Sequence, residues 1–566
     1  MAMKWTRPKL DRDDPGSGSS TSQLFEGKKS VKAEIFVRED LQNRVDAVRP
    51  DHQGPVTVRI QRRALPHVLI EKYFPTDFQK ELIASEVQGL KAKEKSRREK
   101  HLRSLFKSKE LPVLVVEDFG TTGLNGPINS RIAVKEPDDP LYHPTNALTC
   151  FLRRNGRSGK TGKNLGSAGL GRVVYFMGSE ISTKFVYTVP TDLHLEKEGK
   201  LIARDAVPMF FGQSLQNELE MRVGDEQICH SGYLHLTGAD RIDKFATPFG
   251  LVPKDAAVAE QARTDFQLTR EADQTGCSVI VPFPRASLDP EKLLDVVAAE
   301  FALPILAGDL VVEVQRQTVD ADSVLELSSD DDVNEANCFL GQVLDADTQT
   351  NVSLPVDRLG GPLVASDFDP AALKAAGKRF QDGDLVCVSI QVGFGVGDDA
   401  HGELIVAARK TSDGVKGRAL VARKGLVLTG LSDRRYGRPQ NACVLMKSDE
   451  QGDMDALATL LRKAETPNHD DWIAGEISED DCVDPKALIE RVKTAHKDLV
   501  QILTNLDTEE DPSIFSDLLP AGGGRPPPPD IESEPSPFSI AMVGNDIKIT
   551  VASDIDGSDL ELVEGS

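Results

Sequence analysis

Residues 111–116 read LPVLVV, an unbroken apolar run of strand length that stops on Glu117 and Asp118 before Phe119, Gly120, Thr121, Thr122 and Gly123. Such a run reads as a buried strand. A carboxylate where a buried strand gives way to a glycine turn can accept hydrogen bonds from a buried ligand amine. The glycines let backbone approach closely.

Two further segments bear on the same chemistry. Residues 34–47, EIFVREDLQNRVDA, predict a helix in which Glu39 and Asn43 stand four residues apart on one face. Asp46 follows near that face, while Leu41, Val45 and Ala47 supply apolar contacts. A carboxylate stacked over an amide suits holding a hard cation and orienting a water, although a solvated polar face has the same pattern. A strand-like PVTVRI (55–60) comes next. Later, Gly166, Ser167, Ala168, Gly169, Leu170 and Gly171 lead into the apolar, helix-compatible RVVYFMG. Glycines ahead of a helix start expose amide donors to phosphates.

In this order the segments resemble the GHKL (Bergerat-fold) ATPases: gyrase-type topoisomerases, ninety-kilodalton heat-shock chaperones, MutL, MORC proteins and histidine kinases. EIFVREDLQNRVDA looks like the N box, VVEDFGTTGL like the first glycine box and GSAGLGR like the second. The resemblance implies ATP and Mg2+ as cofactors, with Glu39 as general base and Asn43 as the metal ligand. Asp46 stands beside them, and Asp118 is the adenine-binding carboxylate. It further implies that Gly120 and Gly123 shape the turn, while Lys163, Gly166, Gly169, Leu170 and Gly171 attend the phosphates. Cys277, in TGCSVI, stands where the family has threonine, and Thr275 or Ser278 is the expected source of the missing hydroxyl. One extra residue separates Gly120 from Gly123 relative to the family's Asp-x-Gly-x-Gly.

Composition narrows the alternatives. A chain of 566 residues should form two to four domains. It has neither an apolar run of membrane-spanning length nor a signal-like amino terminus, so the expectation is a cytoplasmic protein with no membrane partner. Seven cysteines without a Cys-x-x-Cys pair argue against a disulfide framework or a zinc site, and the ten histidines form no ligand pair at helical spacing. A net charge of −23 disfavours wholesale coating of nucleic acid. The exception is local: residues 91–109, KAKEKSRREKHLRSLFKSK, are strongly basic within an insertion spanning 61–110. They are either a solvated projecting helix or a contact surface for DNA, RNA or an acidic partner. NGRSGKT (155–161) is not a Walker loop, because Arg154 occupies the position that needs glycine.

The expected architecture is α/β (α+β). Residues 1–24 form an arm, and 25–285 a Bergerat-type α/β sandwich with helices on one face. A transducer-like, ribosomal S5 domain 2-like module follows (286–450), beginning with the strand GDLVVEV, then a helical segment (451–510). A proline-rich linker (511–538) precedes a β-hairpin and acidic tail (539–566). In relatives with a transducer, a basic residue reaches the γ-phosphate. Arg423 and Lys424 are the candidates here, with Arg434, Arg435 and Arg438 behind them. The resemblance implies an ATP-gated homodimeric clamp in DNA transactions or restriction-type defence against phage. The alternative is a chaperone-like protein remodeller.

Overall fold

The computed structural model describes residues 3–6, 32–128, 138–143, 147–153, 173–217, 219–223, 226–230, 233–237, 248–251, 256–346, 350–354, 358–395, 401–423, 426–428, 431–432, 438–446, 456–466, 471–505, 538–543 and 546–551. Nine strands make the first sheet: β1 (Lys4–Thr6), β2 (Val56–Pro66), β3 (Glu110–Phe119), β4 (Thr183–Val189), β5 (Met209–Leu215), β6 (Tyr233–Thr237), β7 (Gly276–Pro282), β8 (Leu310–Val314) and β9 (Gln317–Val319). Their order is β1-β6-β5-β4-β7-β3-β2-β8-β9. Every pairing is antiparallel except that of β8 on β2.

The LPVLVV run is indeed a strand of this sheet, and its composition has a simple cause. Leu114 and Val116 face a cluster containing Phe36, Val37, Leu41, Tyr175 and Val297. Val113 and Val115 face another that contains Leu69, Phe74, Leu82, Leu102 and Phe266. A strand covered on both sides has no solvent face on which to place polar residues, so the alternation disappears. Each such side chain contributes about 1.5–3 kcal/mol through burial.

Helices therefore lie on both faces, not on one as expected. α1 (Ala33–Val45) belongs to the first layer. The second holds α2 (Val68–Tyr73), α3 (Thr76–Val87) and α4 (Ala92–Phe106). The basic segment is α4, and it does not project freely. Leu102 and Phe106, one turn apart, are buried, and the Phe106 ring lies 5.9 Å from Phe74 and 5.8 Å from Phe283. Lys91, Lys93, Lys95, Arg97, Lys100, Arg103 and Lys107 remain exposed. The insertion thus packs a hydrophobic edge against the sheet and turns a cationic side outward.

Short helices α5 (Ala147–Arg153) and α6 (Val173–Gly178) follow, with α7 (Ala256–Asp265) in the second layer. α8 (Pro290–Glu300) packs on α1, where Arg38 Nη2 donates to Glu300 Oε2 at 2.8 Å in a buried pair. GDLVVEV, expected to open a second domain, instead completes the first sheet. Leu310 to Val314 pair with Val56 to Ile60. Alternating burial along β8 lets its apolar side close the layer begun by α1 and α8.

After α9 (Ala302–Leu306) and α10 (Asp331–Asp345), a second mixed sheet forms from β10 (Thr350–Leu354), β11 (Val386–Gly393), β12 (His401–Lys410), β13 (Ala419–Arg423), β14 (Leu426–Val427) and β15 (Gln440–Met446). Its order is β10-β11-β12-β15-β13-β14. Three helices pack on one face: α11 (Pro370–Gln381), α12 (Ala456–Lys463) and α13 (Pro485–Asn505). The other face presents Cys387, Ala407, Leu420, Ala422 and Cys443 to a core shared with Leu303, Phe339 and Leu340 of α9 and α10. The two sheets are thereby joined through one hydrophobic layer.

Separately, β16 (Phe538–Val543) and β17 (Asp546–Val551) form the expected antiparallel hairpin, with Val543 opposite Asp546. No helix among the described residues is long and apolar enough to cross a membrane.

Candidate functional site

The carboxyl end of β3 carries Asp118 into the interior, where it is 2% exposed. Its Oδ1 accepts from the Cys277 amide at 2.8 Å and from Thr121 Oγ1 at 2.5 Å, and Oδ2 accepts from Arg44 Nη1 at 2.6 Å. A carboxylate has about four acceptor sites, so these bonds use three of them. Arg270 Nη2 lies 3.6 Å from Oδ1 and bonds the Asp118 carbonyl.

Arg44 comes from α1. It also donates to both oxygens of Asp40, at 2.8 and 2.9 Å, and to the carbonyls of Cys277 and Val116. Tyr175 donates to Asp40 Oδ1 at 2.7 Å. Burial opposes the Arg44 cation, yet Asp40 and Asp118 outweigh it and hold its proton more tightly than water does. Burial, with Asp118 beside it, pushes the Cys277 thiol up to about 12. This network ties α1 to the end of β3 and the start of β7.

Glycine geometry makes the approach possible. Gly120 and Gly123 have φ of +85° and +67°. A Cβ on Gly123 would stand 2.5 Å from the Val189 carbonyl, and one on Gly276 would stand 2.5 Å from Asp118 Oδ1. The turn is stitched to the end of α1, since Thr122 donates its amide to Ala47 at 2.8 Å and Arg49 to Gly120 at 3.0 Å. The extra residue in this turn has a role: buried Thr121 brings its hydroxyl to Asp118. Neither expected substitute does so. Ser278 donates to Glu117, and Thr275 accepts from Arg49.

Glu39 and Asn43 are half-buried on α1, beside the Asp40–Arg44 row, and half-buried Asp46 is the residue that caps its carboxyl end. Asn43 Nδ2 donates to the Glu39 carbonyl at 2.5 Å, fixing which side of the amide faces its own helix. A carboxylate and an amide oxygen one turn apart are oxygen donors of the kind Mg2+ takes, and that ion keeps several waters when bound by protein.

Arg423 is not placed as expected. It is buried and forms a bidentate pair with Glu465, its Nε lying 2.9 Å from Oε1. A desolvated guanidinium is satisfied by the nearest desolvated carboxylate. Arg462, on α12, escaped the sequence reading. Burial and neighbouring Arg423 pull its pKa down, and Asp46 and Glu465 counter them. Arg462 is half-buried on its helix. Arg438 is exposed. Lys163, Gly166, Gly169, Leu170, Gly171, Lys424, Arg434 and Arg435 lie outside the described residues. The other missed residues are Asp40 and Arg44, whose four-residue spacing on a helix was the available signal.

Compared with protein-family models and with curated proteins, the chain matches none.

Proposed function

We propose that this chain binds and hydrolyses ATP in the manner of a GHKL ATPase. The observation that supports it most is the convergence on Asp118 of α1, the glycine turn and the β7 amide, with one acceptor site of the carboxylate beyond the three hydrogen bonds described. That site would take the exocyclic amine of adenine. Glu39, one residue from Asp40 on α1, would accept the proton of the attacking water. Asn43 and Asp46 would hold magnesium, whose charge offsets that of the phosphoryl group in transfer. Arg462, half-buried on α12 where Arg423 is fully buried against Glu465, is the cation of the second module we assign to the phosphate.

The exposed lysines and arginines of α4 favour nucleic acid over a protein client as the partner, because they form a cationic helix side on an acidic chain. The homodimer and the restriction-type defence role belong to the same proposal.

The deciding experiment measures Mg-ATP binding and hydrolysis by the full chain and by Glu39→Gln. Retained binding with turnover reduced at least about 100-fold is expected of a lost general base. A wild-type chain that binds no Mg-ATP ends the reading.

A further inference from the structure

Outside the Asp118 network lies a second cluster of titratable side chains, with no part in the proposed nucleotide site. Gly126–Pro127, Leu193–Lys197 and Lys200–Arg204 form a small three-stranded sheet. Asp192 and His194 flank buried Leu193 on this extended segment, which places their side chains on one side. His143 comes from a loop about fifty residues earlier. Its ring centroid lies 4.5 Å from that of His194.

One nitrogen or oxygen from each of His143, Asp192 and His194 lies within 4.8 Å of the other two. His143 Nε2 is 2.9 Å from Asp192 Oδ2. His194 Nδ1 is 3.3 Å from the same oxygen and is buried outside hydrogen-bond geometry. Donors held at ~2.0–2.1 Å on a tetrahedral ion stand roughly 3.3 Å apart, so this group needs little movement to close on one.

We infer that His143, Asp192 and His194 form a binding site for a divalent first-row metal ion, with Zn2+ as the ligand that fits. Two imidazoles and one carboxylate are a nitrogen–oxygen set that Zn2+ accepts with a fourth position left for water. His143 is buried while Asp192 and His194 are half-exposed, so the open position faces the solvent side.

The framework behind the ligands is ordered by hydrogen bonds of its own. Asn125 Oδ1 accepts the amides of Thr191 at 3.0 Å and Asp192 at 3.4 Å. The His194 carbonyl accepts from Ile128 at 2.8 Å, and Leu201 donates to the Pro140 carbonyl at 3.2 Å, holding the loop that carries His143. Cysteine counting and helical spacing gave no warning of this site. Its ligands are histidines and an acid on extended chain and a loop, joined only by folding.

The test uses the full chain, stripped of metal by a chelator. Zn2+ is titrated calorimetrically into wild type, His143→Ala, His194→Ala and Asp192→Asn. One Zn2+ per chain is expected, and each histidine variant should weaken it by more than the roughly 10–100-fold typical of an outer-shell partner. Co2+ added to wild type should develop the intense visible absorption of a four- or five-coordinate ion, a readout that needs no variant to fold. Equal Zn2+ affinity in wild type and His194→Ala would mean a hydrogen-bonded histidine–aspartate cluster, and overturns the assignment. So does a Co2+ spectrum identical to that of the hydrated ion. Neither result bears on ATP.

Discussion

Arg44 and Asp118, separated by 74 positions in the chain, meet at 2.6 Å inside the core, where neither is more than 4% exposed. The contact joins the helix that carries Glu39 and Asn43 to the strand end that carries the candidate adenine acceptor. Stability and binding are consequently entangled at this point.

Replacing Arg44 with Met fills the volume but strands the charges of Asp40 and Asp118. Breaking a buried pair in this way costs about 3–5 kcal/mol. Urea denaturation should show that loss as a lower midpoint with an unchanged slope. Asp118→Asn should cost less, since Arg44 keeps both oxygens of Asp40 and Arg270 keeps the Asp118 carbonyl, but it still removes a charge from a buried network. Nucleotide binding by that variant is therefore informative only at temperatures where circular dichroism shows it folded. A stability loss under 1 kcal/mol for Arg44→Met would contradict the network.

Cys277 should resist alkylation in the native protein. With its thiol pushed up to about 12, almost no thiolate exists at pH 8, and the side chain is 8% exposed. Half-buried Cys150 should be modified first. The folded pKa is raised, so the contribution is intact below the unfolded value of ~8.5 and is lost progressively as pH rises from there towards 12. Site-resolved mass spectrometry after a short iodoacetamide pulse checks the first point, and denaturation midpoints at pH 8 and 10 check the second.

Arg423 and Glu465 are each fully buried, and their pairing is structural. Glu465→Ala alone should cost about 3–5 kcal/mol, whereas Arg423→Met with Glu465→Leu should recover much of it. Arg462→Ala should leave the fold nearly intact and lower ATP turnover. If the Arg423 variant loses turnover while Arg462→Ala keeps it, the cation has been assigned to the wrong residue.

On α4 the two sides should behave differently. Lys93, Arg97 and Lys100 changed together to Glu should alter stability by no more than about 0.5 kcal/mol, since all three are exposed. If DNA is the partner, its affinity should fall and the salt slope should shrink by roughly 0.9 per lost phosphate contact. Phe106→Ala, by contrast, should cost about 3–5 kcal/mol through the cavity left against Phe74 and Phe283. Fluorescence anisotropy at two salt concentrations separates the two kinds of effect.

How much of this was legible in the sequence depends on whether the signal was local. The LPVLVV strand, the α1 helix, the glycine turn and the final hairpin are written in short periodicities and turn residues, and they form as expected. What eluded the sequence was partnership. Thr121, in the turn with one residue more than the family's pattern, donates its hydroxyl to Asp118. Arg423 looked like a sensor, but its charge is consumed by Glu465, 42 residues away. Covering the second sheet face with α2, α3 and α4 was equally hidden, because KAKEKSRREKHLRSLFKSK shows its two buried residues only as an i, i+4 pair among charges.

The parallel seam between β2 and β8 has a practical consequence for dissecting the protein. A fragment ending near residue 285 would retain Glu39, Asn43 and Asp118, yet it would bare the hydrogen-bonding edge of β2 and the apolar flank of α1 against which α8 rests. Open edges of that kind recruit other chains, so such a fragment should precipitate or self-associate when expressed. A truncation at about residue 346 would likewise bare Leu303, Phe339 and Leu340, which the second sheet covers, so the piece suited to isolation is one carried through α13, to about residue 505.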